Sequence, residues 1–177
     1  VKKGSKEYFD SYSKAKFWVS NVRLPLYLNK KENQVYIQTW HGTPLKRLAN
    51  DMKVVRMPAT TTARYKTNFY AETSRWDYLI SPNRYSTNIF KTAFWMDKER
   101  IWEIGYPRND VLINRKDDKE YINQIKRDLN LPKGKKIIMY APTWRDDEFI
   151  KKGKYLFDLK INLENLQKKL GMTMLFY

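Results

Sequence analysis

The sequence predicts an α/β fold, and a recurring pattern is the main reason. A short apolar or alternating run, a small polar turn and an amphipathic stretch with helical spacing follow one another several times along the 177 residues. The chain also has 42% hydrophobic and 15% aromatic residues, which is enough for a packed core. Its length allows one modest domain, or one domain and the beginning of another.

The first unit starts with a helix predicted at 5–19, whose apolar face we expect to pack against a sheet. A strand follows at 34–40, where alternate side chains point to opposite faces. At the end of this strand Thr43 can cap a helix that begins at Pro44, where a missing N–H costs nothing. We therefore predict a helix over 44–49.

Two further units repeat this arrangement. A strand at 76–80 leads into a helix whose apolar residues have helical spacing, and Ser81 before Pro82 is its predicted cap. A strand at 101–104 leads through a turn with glycine and proline into a short helix near 111–112. Each predicted strand therefore ends in a small polar loop.

A helix-breaking segment with proline and glycine at 131–134 ends the helix that we predict over 117–129. We place a domain boundary there, so that the first domain covers 1–131 and the beginning of a second covers 132–177.

The second predicted domain starts with a buried strand at 136–141, followed by a loop at 142–147 and a helix at 163–170. The sequence begins with Val1 rather than Met, and it stops inside an apolar run at 172–177. We interpret both ends as cuts in a longer protein.

The charge of the chain predicts a negatively charged partner. Its 35 Lys and Arg outnumber 19 Asp and Glu, giving a formal net charge of +16. Nucleic acid, anionic lipid headgroups and phosphate-rich substrates all fit this charge. The absence of cysteine excludes a disulfide framework and a Cys-ligated zinc site. No stretch has the roughly 18 consecutive apolar residues that a membrane-spanning helix needs.

The stretch 56–75 mixes basic and aromatic residues, a composition that can bind a membrane surface or a nucleic acid. The alternative is a solvated basic face with its aromatic side chains turned to the core. No recognised nucleic-acid motif favours the first interpretation.

The loops after the predicted strands are the candidate site, because ligands of open parallel sheets bind beyond the carboxyl ends of the strands. His41, the single histidine, lies in one of these loops. A histidine there can act as a general base near neutral pH, and a helix N-terminus beside it favours the uncharged ring. The alternative is a histidine that only bonds a backbone group in a turn.

Two arginines in the strand-end loops, Arg108 and Arg145, can bind phosphate oxygens. Alternatively, each forms a local ion pair that orders its loop, Arg108 with Asp110 and Arg145 with Asp146. Asn83, after Ser81 and Pro82, is a weaker candidate for the same cleft.

The run Gln38-Thr39-Trp40-His41-Gly42-Thr43-Pro44-Leu45-Lys46 resembles the signature of the CDP-glycerol:poly(glycerophosphate) glycerophosphotransferase family, the teichoic acid polymerases and primases. The similarity continues through 15–21, 81–83, 105–110 and 140–146. Five motifs in this order span nearly the whole chain.

The resemblance implies two Rossmann-like domains facing a cleft, of the GT-B type, which agrees with a boundary near 131–134. It implies that an acceptor hydroxyl attacks the β-phosphate of a CDP-polyol and that CMP is released. His41 matches the family histidine proposed as the base. The predicted substrate- and phosphate-binding residues are Gly42, Thr43, Asn83, Arg108, Asn109, Asp110, Thr143 and Arg145.

The partners implied are a CDP-polyol donor, a lipid-linked anionic polymer acceptor and the anionic cytoplasmic face of the bacterial membrane, where such proteins are peripheral. We expect no nucleic acid, no metal ion and no cofactor besides CDP-glycerol as donor substrate. A second histidine, an arginine and a Ser-Asp-Tyr-Ser-Ser motif, which the family uses for the donor, have no match here. We therefore expect the fragment to be inactive alone.

Three alternatives to a glycerol-phosphate transferase stay open at this point. A ribitol-phosphate transferase shares these motifs, so the sequence pattern does not separate the two polyols. A nucleotide-sugar glycosyltransferase has the same two-domain architecture, and a fold does not fix a function. A basic module that binds a membrane or nucleic acid would use His41 only structurally.

Overall fold

The computed structural model describes residues 1–57, 59–132, 137–141, 148–151, 154–155, 159 and 161–170. The chain divides into two compact units, one of 1–55 with 60–111 and one of 56–59 with 112–177. The predicted domain boundary at 131–132 lies inside the second unit, and that boundary stays a prediction.

The first unit contains a sheet of four parallel strands in the order β1-β2-β3-β4. The strands are β1 Phe17–Ser20, β2 Val35–Gln38, β3 Tyr78–Ser81 and β4 Ile101–Glu103. Its helices are α1 Lys6–Lys14, α2 Thr62–Thr73 and α3 Arg84–Ala93. The helices α2 and α3 connect successive parallel strands, so the prediction of an α/β fold is confirmed.

Helix α4 Asp110–Asn114 comes after β4 in the chain, and three short 3-10 turns lie at Ala49–Asp51, Lys98–Arg100 and Pro107–Asn109. The second unit contains α5 Lys119–Asp128, α6 Leu163–Leu170 and an antiparallel pair, β5 Phe149–Lys151 with β6 Lys154–Tyr155. The predicted helices over 117–129 and 163–170 are confirmed. Within the described ranges, no helix is long and apolar enough to cross a membrane.

The first helix is shorter than predicted, because it ends at Lys14 and its expected last turn forms β1. Ala15 adopts an extended conformation with φ −66° and ψ 125°. Aromatic and β-branched residues then favour a strand, and Trp18 is buried with its indole N–H donating to Tyr12 O at 3.0 Å.

The predicted helix over 44–49 is wrong, because only a 3-10 turn at Ala49–Asp51 forms there. Pro44 is buried, and its carbonyl accepts a hydrogen bond from the Tyr85 hydroxyl at 3.2 Å. Leu45 is 83% exposed and so offers no apolar contact that would hold a helix against the core. A long-range contact therefore overrides the local Thr-Pro signal.

The cap of α3 is Asn83, not Ser81 as predicted. The side chain of Asn83 accepts from Ser86 N at 2.9 Å, whereas Ser81 is the last residue of β3. A residue before proline favours an extended backbone, so Ser81 stays in the strand.

The predicted strand at 136–141 is not observed in its described part, 137–141. Ile137 is 41% exposed and Met139 is 77% exposed, and the described strands of the second unit pair only with each other. A strand without a paired neighbour leaves its backbone groups unsatisfied. The predicted loop at 142–147 and the apolar run at 172–177 lie outside the described residues.

Aromatic side chains make up half of the core residues of the first unit. Trp76 is fully buried, and the ring centroids of Tyr36 and Phe94 lie 6.5 Å and 5.3 Å from its own. In the basic and aromatic stretch 56–75, Phe69 packs in this core at 4% exposure, whereas Tyr70 is 54% exposed, so only part of its aromatic surface is turned inward.

An ion pair between Glu72 and Arg75 fixes the loop between β1 and β2. Glu72 is buried, and its carboxylate accepts from Leu24 N at 2.8 Å. The Arg75 guanidinium pairs with Glu72 and donates to the carbonyls of Leu24, Pro25 and Leu28. This loop begins at Asn21, directly after β1, so the pair holds backbone next to the candidate site.

Candidate functional site

His41 lies at the carboxyl end of the sheet, three residues after β2, and its side chain is exposed. The ring nitrogen Nδ1 is 2.7 Å from the carbonyl oxygen of Asn21, which directly follows β1. A carbonyl oxygen only accepts, so Nδ1 carries a hydrogen. The neutral ring therefore presents Nε2 as a proton acceptor, which is the property that a general base requires.

The ring of His41 also stacks on Trp40, with centroids 4.2 Å apart and an angle of 26° between the planes. Trp40 is 7% exposed and has φ 53°. This left-handed backbone is uncommon for a bulky residue. It reverses the chain so that the Trp40 ring enters the core while His41 remains at the surface.

The loop after β4 packs against the backbone of His41 and Gly42. The Tyr106 hydroxyl donates to Gly42 O at 2.9 Å, and the Arg108 guanidinium donates to His41 O at 2.9 Å. The guanidinium carbon also lies 4.6 Å from the centre of the Tyr106 ring. The structure therefore brings His41, Gly42 and Arg108 together, as predicted for strand-end loops.

Tyr106 was not among the predicted site residues. It is 5% exposed, and burial raises the pKa of its hydroxyl, which keeps the hydroxyl protonated as a donor. Gly105 before it has φ 83°, a conformation that favours glycine, and it turns the loop after β4. An aromatic residue between this glycine and Pro107 was the signal in the sequence.

The remaining predicted residues have different surroundings. Arg108 forms no ion pair with Asp110 within the described residues, so that alternative is not observed. Asn83 caps α3, Thr43 is exposed, and Asn109 ends the 3-10 turn before α4.

The substrate-binding roles of Gly42, Thr43, Asn83, Arg108, Asn109 and Asp110 stay predictions. Thr143 and Arg145 lie outside the described residues. No group of three or more His, Cys, Asp or Glu that could hold a metal ion occurs within the described ranges.

Gln38 is a second residue that sequence reasoning did not assign. Its side chain is fully buried at the end of β2, where it donates to Val22 O at 3.1 Å and accepts from Trp40 N at 2.9 Å. It therefore connects the loop that contains Asn21 with the turn that contains His41.

A groove of about 440 Å³ follows directly along the chain from the His41 turn, between the 44–51 segment and α3. Within the described part of the chain, its lining includes the cations of Lys46 and Arg47, the carboxylate of Asp51, and Tyr85. Neither Lys46 nor Arg47 forms an ion pair within the described residues. The groove is therefore a basic surface that is open to an anionic ligand.

Comparison with known proteins gives one family. The family model for CDP-Glycerol:Poly(glycerophosphate) glycerophosphotransferase matches residues 1–177. The chain is 75% identical over 171 residues to the teichoic acid poly(glycerol phosphate) polymerase of Staphylococcus epidermidis, covering 97% of this chain and 24% of that protein. It is 49% identical over 170 residues to the teichoic acid glycerol-phosphate transferase of Staphylococcus aureus, covering 96% of this chain and 44% of that protein.

The solved structure of the wall teichoic acid polymerase TagF is similar to this one with a TM-score of 0.88 and 72% sequence identity. The match covers 99% of this chain and 43% of that polymerase. The chain thus spans less than half the length of the relatives that it matches.

Proposed function

The chain belongs to the CDP-glycerol:poly(glycerophosphate) glycerophosphotransferase family, and on that premise we propose that it serves in teichoic acid synthesis. The proposed reaction transfers glycerol phosphate from CDP-glycerol to the terminal hydroxyl of a lipid-linked poly(glycerol phosphate) acceptor, and CMP is released. The observation that carries the proposal is the contact between His41 Nδ1 and Asn21 O at 2.7 Å, which makes Nε2 of the neutral ring the proton acceptor.

In the proposed step, the acceptor hydroxyl oxygen attacks the β-phosphorus of CDP-glycerol, which bears the glycerol. The hydroxyl proton passes to Nε2 of His41. The bond between the β-phosphorus and the oxygen that bridges to the α-phosphorus breaks, and CMP leaves with that oxygen. The imidazolium then loses its proton to solvent. General-base assistance of this kind contributes about a hundredfold or more to the rate.

We propose that Arg108 contributes positive charge to the donor phosphates. It is exposed, and its contact with His41 O at 2.9 Å uses one N–H of the five in a guanidinium. The remaining N–H groups suit phosphate oxygens, which guanidinium binds in a bidentate manner. Its contact with His41 keeps this charge beside the proposed base. The other residues of the proposed substrate- and phosphate-binding set are Gly42, Thr43, Asn83, Asn109, Asp110, Thr143 and Arg145.

The acceptor is a repeating phosphodiester, and the groove beside α3 supports its binding to this unit. Lys46 and Arg47 supply two cations there, and they follow the proposed base by only a few residues along the chain. The net charge of +16 supports two further proposals. One is attraction of the polyanionic acceptor, and the other is peripheral attachment to the anionic cytoplasmic face of the membrane.

The test is transfer of labelled glycerol phosphate from CDP-glycerol to a lipid-linked acceptor by a full-length family member that carries these residues. His41→Ala is compared with wild type and with Asn33→Ala, an exposed control in the loop before β2. We expect loss of about a hundredfold or more for His41→Ala and none for the control.

Each contrary outcome overturns one part of the proposal. A wild-type protein that is inert with CDP-glycerol but active with CDP-ribitol or a nucleotide sugar contradicts the proposed donor. Full activity of His41→Ala contradicts the proposed base and leaves His41 as a structural residue of the turn.

A further inference from the structure

The buried amide of Gln38 connects both chain segments that hold the His41 ring. We propose that Gln38 is a positioning residue that keeps Nε2 of His41 free to accept a proton. This inference rests on the proposed function, in which Nε2 is the base. Among the described hydrogen bonds none joins Gln38 to the ring, so it acts through the backbone on either side.

One end of the amide holds the loop after β1. Its Nε2 donates to Val22 O at 3.1 Å, and Val22 directly follows Asn21, whose carbonyl accepts from His41 Nδ1. The same nitrogen is 3.3 Å from the Tyr36 hydroxyl, which in turn donates to Glu72 at 3.0 Å. The loop position is thereby linked to the buried carboxylate of Glu72.

The other end of the amide holds the turn before the histidine. Gln38 Oε1 accepts from Trp40 N at 2.9 Å, and Trp40 has the unfavourable φ of 53°. This hydrogen bond offsets part of the cost of a left-handed backbone at a bulky residue. If the turn relaxes to an extended conformation, the imidazole that stacks on Trp40 moves away from Asn21 O.

The side chain at this position must both donate and accept, as an amide does, because Val22 O can only accept and Trp40 N can only donate. Gln38 is fully buried, so water does not replace a lost partner there. Gln38→Glu keeps an acceptor for Trp40 N, and burial favours its protonated carboxyl, whose O–H is the remaining donor to Val22 O. Gln38→Met loses both. The two variants should therefore give graded effects on the His41 ring, larger for Gln38→Met.

The residue directly before the same strand offers a matched control. Gln34 is 4% exposed, and its amide also connects two chain segments. It donates to the carbonyls of Tyr12 and Ala15, at 2.7 Å and 2.5 Å, and accepts from Lys31 N at 2.9 Å. Gln34→Met removes a buried amide of the same type, but its partners do not adjoin Asn21 or His41.

The first measurement is ¹⁵N NMR of the imidazole in the chain itself, where the single histidine gives one ring to assign. In the wild type at a pH where the ring is neutral, we expect Nδ1 to carry the hydrogen and Nε2 to be unprotonated. In Gln38→Met we expect averaged shifts from both tautomers, in Gln38→Glu a smaller change, and in Gln34→Met the wild-type spectrum.

Three results would overturn the proposal. The first is a wild-type ring that carries its hydrogen on Nε2, and this arm needs no variant to fold. The second is a wild-type tautomer in both Gln38 variants with the fold retained by circular dichroism. The third is an equal change in Gln34→Met.

The second measurement is steady-state transfer by a full-length family member. We expect Gln38→Met to lower kcat about ten- to a hundredfold with little change in the KM for CDP-glycerol, since misplacing a catalytic group by about 1 Å costs this much. A shifted tautomer with unchanged kcat contradicts His41 as the base, which is the part of the proposed function on which this inference rests. If kcat depends on His41 but not on Gln38, only the positioning role is contradicted and the proposed function stands.

Discussion

The ion pair between Glu72 and Arg75 gives the sharpest stability prediction. Glu72 and Arg75 have side-chain exposures of 2% and 16%. The carboxylate also accepts from Leu24 N, the Tyr36 hydroxyl and Trp76 Nε1, at 2.8, 3.0 and 3.3 Å. We expect Glu72→Gln, which has nearly the same shape, to lower the free energy of unfolding by about 3 kcal/mol.

The magnitude follows from the charge that the substitution leaves behind. Glutamine retains one acceptor oxygen, but the Arg75 guanidinium loses the carboxylate that compensates it. Burial lowers the pKa of Arg75, because the guanidinium charge is poorly solvated there. Breaking a buried pair costs about 3–5 kcal/mol, and the partial exposure of Arg75 favours the lower end of that range.

The assay is urea unfolding of the chain, followed by tryptophan fluorescence and circular dichroism. Glu32→Gln, at an exposed position, is the control and should change stability by less than about 0.5 kcal/mol. Arg75→Met added to Glu72→Gln removes the uncompensated charge, so the two effects should differ from additivity by at least about 1 kcal/mol. A loss below about 1 kcal/mol for Glu72→Gln, or additive effects, would refute the argument.

Three other predictions concern the groove, a helix cap and a buried tyrosine. Replacing Lys46 and Arg47 by alanine should raise the KM for the polymeric acceptor about tenfold without changing the KM for CDP-glycerol, and the KM for the acceptor should then depend less on salt. The same result from replacing Lys2 and Lys3 by alanine would contradict a specific groove. Asp118 accepts from Tyr121 N at 2.9 Å and caps α5. That backbone hydrogen bond and Arg115 lower the pKa of Asp118. The contribution of Asp118 to stability is therefore present above the pKa of the unfolded carboxyl, about 4, and is lost as pH falls through the lower folded value. Asp118→Ala should reduce helical circular dichroism and Asp118→Asn should not, and equal spectra would contradict the cap. Burial raises the pKa of Tyr36 to about 12. The contribution of its hydroxyl to stability is therefore full below the unfolded pKa of about 10 and is lost as pH rises through the folded value. The urea midpoint of Tyr36→Phe should fall less steeply with pH than that of the wild type over that interval, and parallel curves would contradict this.

The elements that sequence predicted well are those with a local cause. The strand at 34–40 and the helices at 117–129 and 163–170 follow from side-chain periodicity, and each is observed with its ends moved by at most a few residues. The end of α1 was harder to place, because helical and strand patterns overlap at Phe17–Ser20.

The failures have long-range causes. The segment after Thr43 carries a good local helix signal, but the hydroxyl of Tyr85, 41 residues after Pro44, donates a hydrogen bond to the Pro44 carbonyl. The predicted partner for His41 was a helix N-terminus, and the observed partner is the carbonyl of Asn21. Sequence predicts that the ends of parallel strands meet, but it does not predict which backbone atom will face the ring.

The same distinction explains which site residues were missed. His41 and Arg108 have side chains with evident chemistry, and both lie in strand-end loops. Gln38 and Tyr106 act on the backbone of the turn, at Trp40 and Gly42. Such roles depend on contacts between segments that are far apart in sequence, so composition and spacing do not reveal them.

The most direct test of the central claim, that His41 is the base, is the pH dependence of kcat/KM for glycerol phosphate transfer by a full-length family member. With Nε2 as the proton acceptor, log kcat/KM of the wild type should rise with a slope of about one on the acidic side and then level off. The residual activity of His41→Ala should lack that rise. An unchanged acidic limb in His41→Ala would contradict the account, because the group that must lose its proton would then lie elsewhere.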